Sequence, residues 1–580
     1  MNHRLAVCTV GLLITIVGCN SNNGNQQNAI DLPVNITSVL IQGDFSLNND
    51  DFPASQYDHG LISLADGSNN QAVLGDSSDG GYQVRVVAAD YNSQYDVIQS
   101  TGTVPVNKGN TITDGLSLLS DQGLNINVEA SSVRFVITLN GSSFPASEYD
   151  DALFYVQRTD GGERVLLGNS HSPIDPVWLM PGTYNVIYEV ETPGGMVPLN
   201  QNSVVDVVDI NSSTSGVNID ITAVPIRLNA TLDSNPFAAS EYQDGNLSLL
   251  TSAGDRADLG STHDLPFADL YVIEGTYDIV YAHETGDNVP ANVQAVIAGN
   301  QLIDMGHTDF SPDIKTALLT PQYSHNGNAF PASEYQDANI FLRMSGNPHD
   351  LFLLGNTHAP GQVRVIQGNY DLIYQHETGD EVPQNTNAVV AENVPLPGDQ
   401  VLPVIVNSVE ITGIFTLNGN KYPADAFNIA QFDFRGAEPG DDFLLGLSYQ
   451  GQGTVKLIPG TYDVIYRHVH GNNVPQNPEH AVMSNQLLDT AKTIRINVKA
   501  NNIKPTFTLN NQPFPKSVYE RGRFYLQGKL ATDQTPIGES YMDNLPVMVI
   551  NDHYDVMYQY IQGNTVPVNE NKLITDVAIP

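Results

Sequence analysis

Between Thr461 and His468 the residues Tyr462, Val464 and Tyr466 alternate with Asp463, Ile465 and Arg467. A period of two puts the tyrosines and the valine on one face of an extended strand, and that aromatic, branched face is the one to turn inward. Short apolar runs cut by turn residues surround it. They are Val404 to Val409; Ile414 to Leu417, ending at Asn418-Gly419; Gln431 to Phe434; Phe443 to Leu445, ending at Gly446; Thr454 to Ile458, ending at Pro459-Gly460; and a segment beyond Asn472-Asn473. Seven short strands in about ninety residues, with turns every eight to twelve or so, predict a β-sandwich. No window carries a helical period.

The pattern repeats six times. The tyrosine of Gly-Thr-Tyr-Asp-Val-Ile-Tyr is read at Tyr95, Tyr184, Tyr277, Tyr370, Tyr462 and Tyr554, in steps of 89, 93, 93, 92 and 92 residues. The aromatic opening Phe-Pro-Ala-Ser-Glu-Tyr falls at Phe52, Phe144, Phe237, Phe330, Tyr422 and Phe514, in steps of 92, 93, 93, 92 and 92. Two markers keeping one step define a tandem array. Leu32-Pro33-Val34-Asn35-Ile36-Thr37-Ser38-Val39 matches Leu402 to Val409, and the chain stops at Pro580, after the segment following Val566-Pro567-Val568-Asn569. A unit is therefore expected to open with that strand and to end after Val-Pro-x-Asn. The expected fold is all-β: six tandem seven-stranded Ig-like or transthyretin-like β-sandwich modules in a row, at 32–121, 122–214, 215–309, 310–400, 401–491 and 492–580. In line, six globules of about 32 Å diameter would reach on the order of 190 Å.

The N-terminus reads as an export signal over 1–18, with Arg4 before the apolar run Leu5 to Val17. Ile16-Val17-Gly18-Cys19 resembles the lipobox of bacterial lipoproteins. That resemblance implies cleavage before Cys19, acylation of Cys19, and a bacterial cell-envelope protein held in the membrane by acyl chains. Asn20, rather than aspartate, after the cysteine points to the outer membrane. Residues 19–31 form the acylated cysteine and a polar, flexible tether. Cys8 falls within the signal, so the mature chain holds one cysteine and no disulfide or thiolate metal site.

Sixty-four acidic against 24 basic residues leave a formal charge of −40. No basic stripe is present, which excludes nucleic acid as a partner.

At Met180-Pro181-Gly182-Thr183-Tyr184 and Ile458-Pro459-Gly460-Thr461-Tyr462 the unit resembles the transthyretin-like, carboxypeptidase-regulatory or Cna-B-type β-sandwiches. The proline and glycine close a corner between strands, and the tyrosine packs beneath it with its hydroxyl on backbone, like the tyrosine corner of Ig domains. Units one and six depart from the motif, with Asn92-Ser93-Gln94 and Asn551-Asp552-His553 in place of Pro-Gly-Thr. Lysines are too few for a Lys–Asn crosslink in every unit, since units three and four hold only Lys315.

Three loops converge at one end of such a sandwich. In unit three they carry His263, His283, Glu284 and Asp287, and in unit four His358, His376, Glu377 and Asp380. Two histidines with carboxylates could contact a ligand or a divalent cation. The set is missing from unit six, and unit one has Ser100-Thr101-Gly102-Thr103 there. The competing reading is that this end faces the preceding module and braces the joint. No Gly-x-Ser-x-Gly elbow, His-Glu-x-x-His helix, phosphate loop or EF-hand loop appears, and no cofactor is expected. Trp178 is the only tryptophan, which argues against a sugar-stacking platform in each unit. The expected function is a non-catalytic, lipid-anchored stalk or multivalent adhesin-like binder with a protein or glycan partner. The alternative is an envelope carbohydrate- or divalent-metal-binding protein using the His/acidic loop end.

Overall fold

A computed structural model describes residues 29–67 and 70–580. Cys19 and most of the tether lie outside the described residues. The fold is all-β, built from six sandwiches, each with its own apolar core.

Module four shows the plan. One sheet orders Leu351–Asn356, Asp337–Met344, Gly368–Thr378 and Ala388–Leu396, all antiparallel. The facing sheet centres on Thr316–His325, which pairs antiparallel with Asn328–Ala329 and Val363–Ile366, and parallel with Gln400–Val406. Asn326 and Gly327 both hold positive φ, as a two-residue hairpin turn requires. The inward faces pack Ile340, Leu342, Leu354, Tyr370, Leu372 and Tyr374 into one core.

The phase of the repeat differs from the expectation. The strand Gln400–Val406 completes module four, with Leu402, Val404 and Val406 in its core, rather than opening module five. The expected boundaries at 121/122, 214/215, 309/310, 400/401 and 491/492 therefore fall one strand early. Cores instead close at Val128, Ile221, Ile314, Val406 and Val498.

Shifting the phase leaves the first strand without a module and the last module without a strand. The two needs meet. Ile30–Ile36 pairs parallel with Ala500–Leu509 over seven positions, and Leu32, Val34 and Ile36 are buried in the core of module six. Gln71 and Ala72 of module one pair in turn with Glu570 and Asn569. The array is thus a closed ring, and the expected extended row is corrected: the first and last long strands of the described residues both belong to the sixth sandwich.

The corner tyrosine is also reassigned in module one. Tyr184, Tyr277, Tyr370, Tyr462 and Tyr554 donate to the carbonyl four residues back, at 2.6–2.8 Å, and in module one Tyr91 does so, to Val87 at 2.7 Å. Tyr95 belongs to a second series, with Tyr188, Tyr281, Tyr374, Tyr466 and Tyr558, whose hydroxyls donate to the proline carbonyl of Val-Pro-x-Asn. The residues replacing Pro-Gly-Thr in module one are accordingly Ala88-Ala89-Asp90.

Candidate functional site

The loop end of each module carries three constructions: a joint, a histidine–aspartate pair in some modules, and an outward-facing aromatic turn.

The joint is made by the asparagine of Val-Pro-x-Asn. Asn385, fully buried, donates to the Tyr462 hydroxyl of the next module at 2.8 Å and accepts from the Ile458 amide at 2.8 Å. Asn107, Asn200, Asn292, Asn477 and Asn569 make the same pair of bonds, to Tyr184, Tyr277, Tyr370, Tyr554 and, across the closure, Tyr91. A second clamp uses the hairpin residue. Asn48, Asn140, Asp233, Asn326, Asn418 and Asn510 accept from the amides of Ala130, Ala223, Thr316, Ser408, Ala500 and Ser38. Buried aspartates add to some joints. Asp441 accepts from Asn385 and from the Thr386 and Asn387 amides, and burial raises its pKa against these bonds. Lys572 pairs with Asp66 at the closure, over the Tyr91 ring. The loop end thus faces the following module, not the preceding one; asparagine braces it in all six copies, and at the joint of modules five and six the buried His480 adds a 2.6 Å contact from Nδ1 to Asp533.

The candidate histidines divide into two kinds. His263 and His358 set Nδ1 at 2.6 Å from Asp244 and Asp337, both nearly fully buried, and keep the rest of the ring partly exposed. Burial works to raise the pKa of Asp244. Hydrogen bonds from Thr262 and His263 outweigh it and hold the carboxyl below its usual range. The hydrogen bond to Asp244 raises the pKa of His263. Module two has the same pair in His171 and Asp151, also at 2.6 Å.

His283 and His376 instead pack with Nδ1 buried and unpartnered, and burial pushes the His376 pKa down. Their amides donate to the Asn292 and Asn385 carbonyls at 2.7 Å, holding the joint loop. Glu377 accepts from Asn356 at 2.9 Å and Asp380 from Gln336 at 3.3 Å. Glu284 stands 3.5 Å from the Asn246 amide nitrogen, and Asp287 is exposed. Among the described residues no three His, Cys, Asp or Glu side chains gather as a metal-holding group.

The aromatic turn ends the second marker, and Tyr242 and Tyr335 stand in the loops expected to converge with the candidate histidines of modules three and four. Tyr57, Tyr149, Tyr242, Tyr335, Phe427 and Tyr519 are each 56–77 % exposed. In every module the side chain two residues upstream accepts the aromatic residue's own amide: Ser55, Ser147, Ser240, Ser333, Asp425 and Ser517, at 2.9–3.3 Å. In five modules the following residue (Asp58, Gln243, Gln336, Asn428 or Glu520) accepts an amide of the joint loop. The ring is therefore presented on a hydrogen-bonded turn, not on a free loop. The joint asparagines were equally visible, as a sixfold Val-Pro-x-Asn, but the partners of five lie 77 or 78 residues on in the chain and that of Asn569 lies 478 residues back.

No family model and no curated relative matches the sequence. Similar solved structures include the Bacillus anthracis TIE protein, at 11 % identity over 60 % of this chain and 68 % of that one, with a TM-score of 0.14. GBS52, the minor pilin of Streptococcus agalactiae, matches at 12 % identity over 32 % of this chain and 95 % of its own, TM-score 0.19. Two B repeat units of the collagen binding protein of Staphylococcus aureus match at 12 % identity over 63 % and 99 %, TM-score 0.13. At these scores the likenesses carry no argument about the whole molecule.

Proposed function

We propose that this chain is an exported, lipid-anchored, non-catalytic adhesin-like binder that works through repeated contact from a ring of six equivalent modules. The observation that carries the reading is the sixfold identity of the joint, Asn to Tyr at 2.8–3.0 Å, including the one that joins the last module to the first. Such joints set every module's loops in one repeated orientation, so a weak contact made once is available six times. Repetition of that kind gains avidity without a strong single site. Ile16-Val17-Gly18-Cys19 supports the anchor and the bacterial envelope as location, and Asn20 favours the outer membrane. Stable anchoring takes more than one acyl chain, which a modified N-terminal cysteine supplies.

The reading is tested in two steps. Palmitate labelling of cells is expected to mark the wild-type chain and not Cys19→Ser, which should leave the membrane fraction. Immobilised full-length chain is then challenged with envelope polysaccharides and matrix proteins. Binding by the whole chain that falls steeply when a single module is isolated supports repeated contact. Equal affinity of one module and six refutes it.

A further inference from the structure

We infer that the six exposed aromatic rings are carbohydrate-stacking sites, and that the ligand is a neutral, extended polysaccharide contacted by several modules at once. This deepens the adhesin-like reading and rests on it, by naming the partner's chemistry.

The positions are Tyr57, Tyr149, Tyr242, Tyr335, Phe427 and Tyr519, in steps of 92, 93, 93, 92 and 92 residues. An aromatic ring is kept at all six, although most of it is in water and no core needs it. The turn beneath is kept too, even where serine gives way to aspartate at Asp425. Hydrophobic side chains left singly on a surface need no explanation. Six at one register, each on a hydrogen-bonded turn, do. At Phe427 the hydroxyl is lost and the ring remains, so the shared feature is the flat π-face.

The surroundings select the ligand. A membrane or a protein hot spot would want a contiguous apolar patch around the ring. The residue before the ring is exposed and polar in four modules, Gln56, Glu148, Glu241 and Glu334, which suits hydroxyl groups at the edge of a sugar; in the other two it is a single small apolar residue, Ala426 or Val518, and not a patch. The formal charge of −40 disfavours polyanions, whether nucleic acid, acidic glycan or anionic lipid. A neutral pyranose chain presents apolar C–H faces to stack and hydroxyls to bond. An extended chain of many such units can reach more than one module of the ring. Stacking on a surface aromatic is weak alone, so the sites act by number.

The test uses full-length chain in native gels containing dextran, mannan, xylan, galactomannan or hydroxyethyl cellulose, with phosphatidylcholine vesicles as a separate arm. Wild-type chain is expected to be retarded by at least one polysaccharide, and Tyr335→Ala to weaken retardation by a few-fold. Alanine at all six positions should abolish it with an unchanged melting temperature, and phenylalanine at the five tyrosines should restore it. No retardation by any of the five, retardation that survives the sixfold alanine variant, or binding to vesicles lost in that variant overturns the proposal. If the sixfold variant loses nothing yet the chain still binds another surface multivalently, the stacking sites fall and the adhesin-like reading stands.

Discussion

Replacing Val34 with aspartate places a carboxyl in the core of module six, at a position 1 % exposed and paired with Phe507. The side chains packed around it, among them Phe507, Phe524 and Val577, are apolar. To stay inside, the carboxyl must be neutral, which means a pKa raised from about 3.9 to above about 7 and a cost of ~4 kcal/mol at pH 7. Losing the valine's burial adds about 1.5 kcal/mol. The total, about 6 kcal/mol, is comparable with the whole stability of a domain. The strand has a way out that its counterpart Gln400–Val406 lacks: among the described residues no other strand precedes it, so it can leave and open the closure.

Six beads of about 12 Å radius of gyration spaced about 32 Å apart give about 34 Å as a ring and about 56 Å as a line. Small-angle scattering of Val34→Asp at pH 7 is therefore expected above about 40 Å, against a wild-type value near the ring figure. The sign with pH is fixed. A carboxyl whose folded pKa is raised regains its stability as pH falls below the unfolded value, so the ring should re-close near pH 4, compared with wild type at the same pH. A radius unchanged at pH 7, with an unchanged melt, would refute the strand exchange and the ring with it.

Three further outcomes are expected. Asn385→Ala strands the Ile458 amide and removes a donor from both Tyr462 and Asp441; at roughly 1–3 kcal/mol per unsatisfied buried group, unfolding in urea should show a loss of about 3 kcal/mol or more. Asp337→Ala should cost clearly more than His358→Ala, by about 2 kcal/mol, because the carboxylate also accepts from the Ala338 amide and the Thr357 hydroxyl while the histidine gives one bond. The buried tyrosines ionise late: burial pushes Tyr184 and Tyr277 up to about 12 and the others of both series upward as well. Their contribution is complete below the unfolded value near about 10 and is lost as pH rises through the folded values. Absorbance at about 295 nm should then show buried phenols titrating together with unfolding, above the exposed ones; a smooth titration of all tyrosines near about 10 would contradict their burial.

Much of this was legible in the alternation at Tyr462, Val464 and Tyr466, all buried as their period implies, although Ile465 on the opposite face is buried as well. The corner hydroxyls bond backbone, as the Pro-Gly-Thr-Tyr motif leads one to expect. The phase was not legible, for a physical reason. Leu32 to Val39 matches Leu402 to Val409 equally well whether that strand opens a unit or closes one, because pairing partners are set by three-dimensional contacts that no local pattern records. The same holds for Tyr91 and Tyr95. Both lie on the inward face of Ala89–Gln99, both are buried, and module one lacks the Pro-Gly that would mark which one sits at the corner. The exposed aromatics end a visible marker, but a chain with Trp178 as its only tryptophan argued against a stacking platform in each unit.

Closure places a demand on every joint. A head-to-tail interface makes a ring only if its rotation divides the circle, and otherwise makes an open helix. Six copies must each turn the chain by a sixth of a circle, so a bias of about ten degrees per joint would accumulate to a full module's displacement at the end. The joint accordingly keeps one construction in all six copies. Its Asn–Tyr distances span 2.8–3.0 Å, while the residues around them vary from Asp350 and Asp441 to the Lys572–Asp66 pair. The donated strand then decides whether the last joint forms at all. Only Thr37 separates Ile36, in the sixth core, from Ser38, which opens the first sandwich. Filling the vacant edge of module six therefore delivers module one to within reach of Asn569 and Asn510, and the two clamps of the closing joint follow from the same event.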